Sequence, residues 1–85
     1  MNKKKQVKPE WFSGVVYDKG TTVQNRFGGD SYKLNALELS IYDFIIGASN
    51  TVELGWHHDK LIVDLRKGLD WFKENNAKAY MVLLD

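Results

Sequence analysis

The densest cluster of metal-capable side chains in this chain is His57-His58-Asp59. Adjacent residues point in different directions, and no His-x3-His or other helical ligand spacing accompanies them. The chain has two histidines and no cysteine, so zinc-thiolate sites are excluded and no third His or Cys can join the cluster. The triplet reads as a polar loop entering a helix. Gly28-Gly29-Asp30 offers glycines for a phosphate loop, but neither G-x-G-x-x-G nor G-x-x-x-x-G-K-[ST] is present, and paired glycines suit a hairpin turn. Ser13, Ser31, Ser40 and Ser49 lack a nucleophile-elbow context. Asp43, Asp64 and Asp70 are candidate carboxylates for acid-base work, yet on amphipathic helices such residues mark the solvated face. The chain is therefore expected not to be an enzyme and to use no metal or cofactor.

Two non-catalytic chemistries remain. Residues 1–33 carry seven Lys/Arg against three Asp/Glu, and residues 34–85 carry five against eight, a basic front (+4) and an acidic back (−3) behind a net charge of +1. Lys3, Lys4, Lys5, Lys8, Arg26 and Lys33 of the front are interleaved with Trp11, Phe12, Tyr17, Phe27 and Tyr32. Lysines meeting phosphates beside aromatics that stack bases is the pattern of a nucleic-acid face. The isoelectric point near 8.0 falls short of the strongly basic range of such domains. The other chemistry is apolar contact. Trp56 and Trp71 lie off the obvious apolar stripes, and a stripe containing Tyr42 and Ile46 is left over on the first helix. Surplus aromatic and aliphatic surface marks protein–protein contact.

The elements that must position these residues follow from pattern. Trp11–Tyr17 is aromatic and β-branched, as strands are. Asp18-Lys19-Gly20 supplies a turn, with Gly20 suited to positive φ. Thr21–Phe27 alternates with period two, placing Thr21, Val23, Asn25 and Phe27 on one side. After the glycine turn, Ser31–Leu34 forms a third strand with Tyr32 and Leu34 inward. Asn35 with Glu38 has capping-box spacing and opens a helix that ends near Ser49 or Asn50. Leu37, Ile41, Phe44 and Ala48 make one stripe of this helix, and Leu39, Tyr42 and Ile46 a second. A connection follows, with a short extended piece at Thr51–Leu54. Asp59 opens a second helix with Leu61, Ile62, Leu65, Leu69 and Phe72 apolar and Gly68 inside it. Residues 77–84 read as a helix capped by Asn76, with a strand as the alternative because Ala79–Leu84 is a continuous apolar run.

The fold class is accordingly α+β: a three-stranded antiparallel meander, then two amphipathic helices and a short C-terminal helix. A flexible basic tail (1–9) precedes a single domain (10–85). At 85 residues and 44% hydrophobic composition, the chain supports one core, without disulfides. The N-terminal lysines are followed by no apolar h-region, and no apolar run reaches a membrane span.

Three stretches, Asn25–Gly29 (NRFGG), Leu34–Phe44 (LNALELSIYDF) and Lys67–Asp85 (KGLDWFKENNAKAYMVLLD), resemble a family of small uncharacterised proteins encoded by tailed bacteriophages, particularly marine ones. The resemblance implies a phage accessory protein in the cytoplasm of a bacterial host, and it carries no activity and no functional residue. Together these readings lead to a non-enzymatic protein-interaction module that self-associates and/or binds a host protein, with Tyr42, Ile46, Trp56 and Trp71 as contact residues. The alternative is a nucleic-acid-binding accessory protein using the basic, aromatic front.

Overall fold

Turn and cap chemistry place most of the elements in the computed structural model, which describes residues 6–56 and 58–84. The α+β class holds, with β1 (Thr21–Gln24), β2 (Ser31–Leu34), α1 (Ala36–Glu53), α2 (Asp59–Asn75) and α3 (Ala77–Leu83). The strands form an antiparallel hairpin in which Thr21 faces Leu34 and Gln24 faces Ser31. Asn25 N–H donates to the Asp30 carbonyl, and a turn over Asn25–Gly28 closes the loop. Gly28 (φ 94°) and Gly29 (φ 91°) take the left-handed backbone that this turn requires.

The first of the three predicted strands, Trp11–Tyr17, is not formed. Trp11–Tyr17 is an irregular segment lying across α1, and the sheet among the described residues has two strands. A turn at Pro9 (Phe12 N–H to Pro9 carbonyl, 3.1 Å) aims Trp11 and Phe12 at the helix. Their rings meet Phe44 at centroid distances of 5.9 and 6.1 Å. Tyr17 N–H then donates to Ser40 Oγ at 2.8 Å. The aromatic content that suggested a strand is used as a cover for α1. Gly20 does not take positive φ either. Its role is close approach: a Cβ there would lie 1.8 Å from the Leu34 carbonyl oxygen.

At the start of α1 the full capping box is present. Asn35 Oδ1 accepts from Glu38 N–H, and Asn35 N–H donates to Glu38 Oε1 at 2.9 Å. The helix runs past the predicted stop to Glu53, so Thr51–Glu53 is helical rather than extended. Gly55 (φ 101°) ends it in a Schellman arrangement, with Trp56 N–H donating to the Thr51 carbonyl and Gly55 N–H to the Val52 carbonyl. Asn76 caps α3 by accepting from Ala79 N–H, so residues 77–83 are helix, not strand.

Ile41, Ile45, Tyr42 and Ala48 of α1, Trp71 and Phe72 of α2, Ala79 and Leu83 of α3, Leu34 of β2 and Phe12 make up the buried core. The first stripe of α1 is buried at Ile41 and Ala48 and the second at Tyr42, while Ile46 stays half-buried. Gly68 allows α2 to approach α1, since a Cβ would stand 2.9 Å from Ile45 Cγ1. Among the described residues, no helix is long and apolar enough to cross a membrane.

Candidate interaction surface

The hairpin tip is pinned at two points. Asn25 Nδ2 donates to the Val82 carbonyl of α3 at 2.8 Å, while its Oδ1 accepts from Phe27 N–H at 2.8 Å. Arg26 reaches the C-terminal end of α1, donating to Asn50 Oδ1 at 3.1 Å and pairing with Glu53 at 3.3 Å. One asparagine thus holds the turn and ties it to α3, and the next residue ties it to α1. Phe27 sits between these anchors and the glycines, 85% exposed as a residue, and the Arg26 guanidinium lies 5.0 Å from its ring centre.

Beside the tip is a hollow of about 160 Å³. Ile45 and Leu83, both buried, form its floor, while Ile46, Leu69, Leu84 and Ser49 form its walls and Arg26 and Phe27 its rim. The helix end next to it carries two more exposed apolar side chains, Leu54 (81%) and Trp56 (71%). Arg26, by bonding Asn50 and Glu53, brings the hairpin tip alongside this end of α1.

A second, open cleft of about 970 Å³ lies at the opposite end of α1, over its N-terminus. Its polar centre is Glu38, 4% exposed. The Glu38 carboxylate accepts from Asn35 N–H, from Gln6 Nε2 at 2.8 Å and from Asn76 Nδ2 at 2.9 Å. Gln6 Oε1 in turn accepts from Asn35 Nδ2 at 2.9 Å. All these groups satisfy one another. The carboxylate joins the N-terminal segment to the caps of α1 and α3, a structural task.

The predicted contact residues separate. Trp56 is exposed and Ile46 half-buried on the wall of the hollow, whereas Tyr42 (6%) and Trp71 (8%) are core residues with little surface to offer a partner. Burial holds the Tyr42 phenol above its ordinary pKa, with the nearby Arg26 charge opposing the shift and Asp43 adding to it. Phe27, predicted to end an alternating strand on the side of Thr21, Val23 and Asn25, lies instead in the turn after β1 and is the most exposed of the large apolar side chains described. The signal for this was present: Asn25 ahead of the glycine pair is itself a turn former, and it moves the turn two residues earlier.

Of the basic set, Lys8 and Lys33 are exposed, Arg26 is engaged with Glu53 and Asn50, and Lys3, Lys4 and Lys5 lie outside the described residues. His57 also lies outside them, so the His57-His58-Asp59 cluster is seen only in part. Asp43 accepts from the Tyr17 hydroxyl at 2.6 Å and Asp64 pairs with Lys60 at 2.7 Å, so these two carboxylates have separate partners. Among the described residues, no group of three or more His, Asp or Glu is gathered for a metal ion. Compared with protein-family models, curated proteins and solved structures, the chain matches none.

Proposed function

We propose that this protein is a non-enzymatic protein-interaction module whose contact surface is the apolar face around Phe27, Ile46, Leu84, Leu54 and Trp56. The observation that carries the reading is the Phe27 ring, held out in solvent by a doubly anchored turn beside an apolar hollow. A large exposed aromatic costs solubility, and fixing its direction in advance removes part of the entropy cost of docking it. Aromatic anchors of this kind dominate interface energetics. The partner is a second copy of the chain and/or a bacterial host protein. The phage context, and with it the host cytoplasm as site of action, rests on the likeness of the NRFGG, LNALELSIYDF and KGLDWFKENNAKAYMVLLD stretches.

Two measurements test this reading together. Sedimentation velocity of the purified chain reads self-association. Affinity capture from bacterial lysate, with wild type beside Phe27→Ala and Trp56→Ala, reads host binding. Concentration-dependent association, or a captured protein lost with either substitution, supports the reading. A strict monomer that captures nothing the variants lose sinks it.

A further inference from the structure

The geometry points to a two-fold dimer in which each copy inserts its Phe27 ring into the hollow formed by Ile45, Ile46, Leu69, Leu83 and Leu84 of the other. This deepens the interaction-module reading and rests on it, naming the partner as a second copy. Four observations support it.

The first is size. The hollow measures about 160 Å³, and an apolar cavity of roughly 150 Å³ lined by Leu, Ile and Phe takes up a benzene-sized ring. The second is self-complementarity. An isologous interface needs projection and recess on one patch, so that each serves the other across the axis. Phe27 and the hollow are adjacent on one face, and the residue remains 85% exposed although it stands at the rim. Because Asn25 and Arg26 in the same turn are bonded to the helices, the backbone that carries Phe27 is held at the rim of the hollow, where Phe27 lines the edge and is still mostly exposed.

The third observation is charge. Among the described residues forming this face, Arg26 and Glu53 balance one another and the rest are uncharged. The described part of the face therefore brings no like-charge repulsion to its own copy, whereas a partner selected by long-range steering calls for a face of one sign. The fourth is area. Phe27, Leu54 and Trp56, with the exposed parts of Ile46 and Leu84, offer on the order of 500 Å² per copy at the usual 150–250 Å² for a buried aromatic. Stable complexes bury about 800 Å² per partner. The face suits a dimer that forms and separates at roughly micromolar concentration or weaker, not an obligate one.

The test uses the full chain in sedimentation velocity from about 1 μM to about 1 mM, the range that brackets a dimer of this size. Phe27→Ala removes the projection, and Ser49→Phe fills the hollow from its own wall. Each abolishes both insertions in its homodimer and raises the dissociation constant at least about 100-fold, given the transfer free energy of a buried phenyl ring. An equimolar mixture of the two variants keeps one insertion, the ring of Ser49→Phe entering the open hollow of Phe27→Ala. The mixture therefore associates more tightly than either variant alone. In wild type, isotope-filtered NOEs connect the Phe27 ring to Ile46 and Leu84 methyls of the other copy, a readout that does not depend on Ser49→Phe folding.

Several results would overturn the dimer: a wild-type monomer throughout, a Phe27→Ala chain that dimerises as tightly as wild type, a mixture no better than its components, or absent intermolecular NOEs. A wild-type monomer whose capture of a host protein is lost in Phe27→Ala removes the dimer and leaves the interaction module standing.

Discussion

Replacing Glu38 by alanine should destabilise the fold well beyond the loss of a helix cap. The carboxylate accepts three hydrogen bonds, from Asn35 N–H, Gln6 Nε2 and Asn76 Nδ2, at 2.8 to 2.9 Å. A hydrogen bond to a charged group contributes about 1.5–3 kcal/mol net, and an acid at a helix N-terminus about 0.3–1 kcal/mol more. Full additivity would overshoot. Asn35 is exposed and Gln6 partly so, and water replaces the carboxylate at both. Asn76 ties α3 to α1 through this bond, and its replacement by water is poorer. A net loss of about 2–4 kcal/mol follows, a drop in Tm on the order of 10–25 °C for a domain of this length. Glu38→Gln keeps the shape but not the acceptors. With its oxygen toward Asn35 N–H, its amide opposes two amide donors; reversed, it opposes the backbone donor. It should cost about 1–2 kcal/mol. Gln6→Ala should cost about 1 kcal/mol alone and markedly less in the Glu38→Ala background, the coupling a double-mutant cycle reads. Urea unfolding followed by circular dichroism gives each value. If Glu38→Ala lies within about 0.5 kcal/mol of wild type, the normal scatter of surface substitutions, the account of this carboxylate as the joint between three segments is wrong.

Two glycines of the helices should respond in opposite directions. Gly47→Ala meets nothing within 4 Å and should stabilise by about 0.5–1 kcal/mol in thermal melts through helix propensity. Gly68→Ala has the same propensity gain but presses on the buried Ile45 at 2.9 Å, so a net loss of about 1–2 kcal/mol is expected. Gly20→Ala drives a Cβ to 1.8 Å from the Leu34 carbonyl oxygen, and a cooperative transition should survive only with a large fall in Tm or not at all. The Tyr17 phenol, hydrogen-bonded to the Asp43 carboxylate and further disfavoured from ionising by its charge, should titrate above a free tyrosine in ultraviolet difference spectra, and Asp43→Asn should bring it back. Its folded pKa is raised, so the proton is held more tightly in the folded state. The stabilisation is present below the unfolded pKa and disappears as pH rises through the folded one.

Reading the chain residue by residue succeeds where the cause is local. Asn35 and Glu38, three apart, form their capping box; Asn76 caps α3; Asp59 opens α2; Ser31–Leu34 is a strand with Leu34 fully buried. The two asparagine caps are decided by groups within one turn of backbone, and the strand by its hairpin partner β1 across a short turn. Gly55 was an equally local signal, since a glycine after a helical run is the common left-handed C-terminal residue, and it accounts for α1 reaching Glu53. The strand expected at Trp11–Tyr17 failed for a different reason. A strand needs a neighbour to receive its backbone bonds, whereas Phe44 and Ser40 of α1 engage this segment first.

The candidate surface shows the same division. That Phe27 stands at a turn follows from Asn25 and the glycine pair. That its ring points to solvent beside a hollow depends on Asn25 bonding Val82, 57 residues away, and Arg26 bonding Asn50 and Glu53. Periodicity identified the apolar excess of the chain, for period and propensity are properties of neighbours along the backbone. It could not identify which apolar residues the chain would cover for itself. Tyr42 and Trp71 went to the core while Phe27 and Trp56 stayed outside, because burial is settled by which distant segments pack over a side chain, and only the folded arrangement brings those segments together.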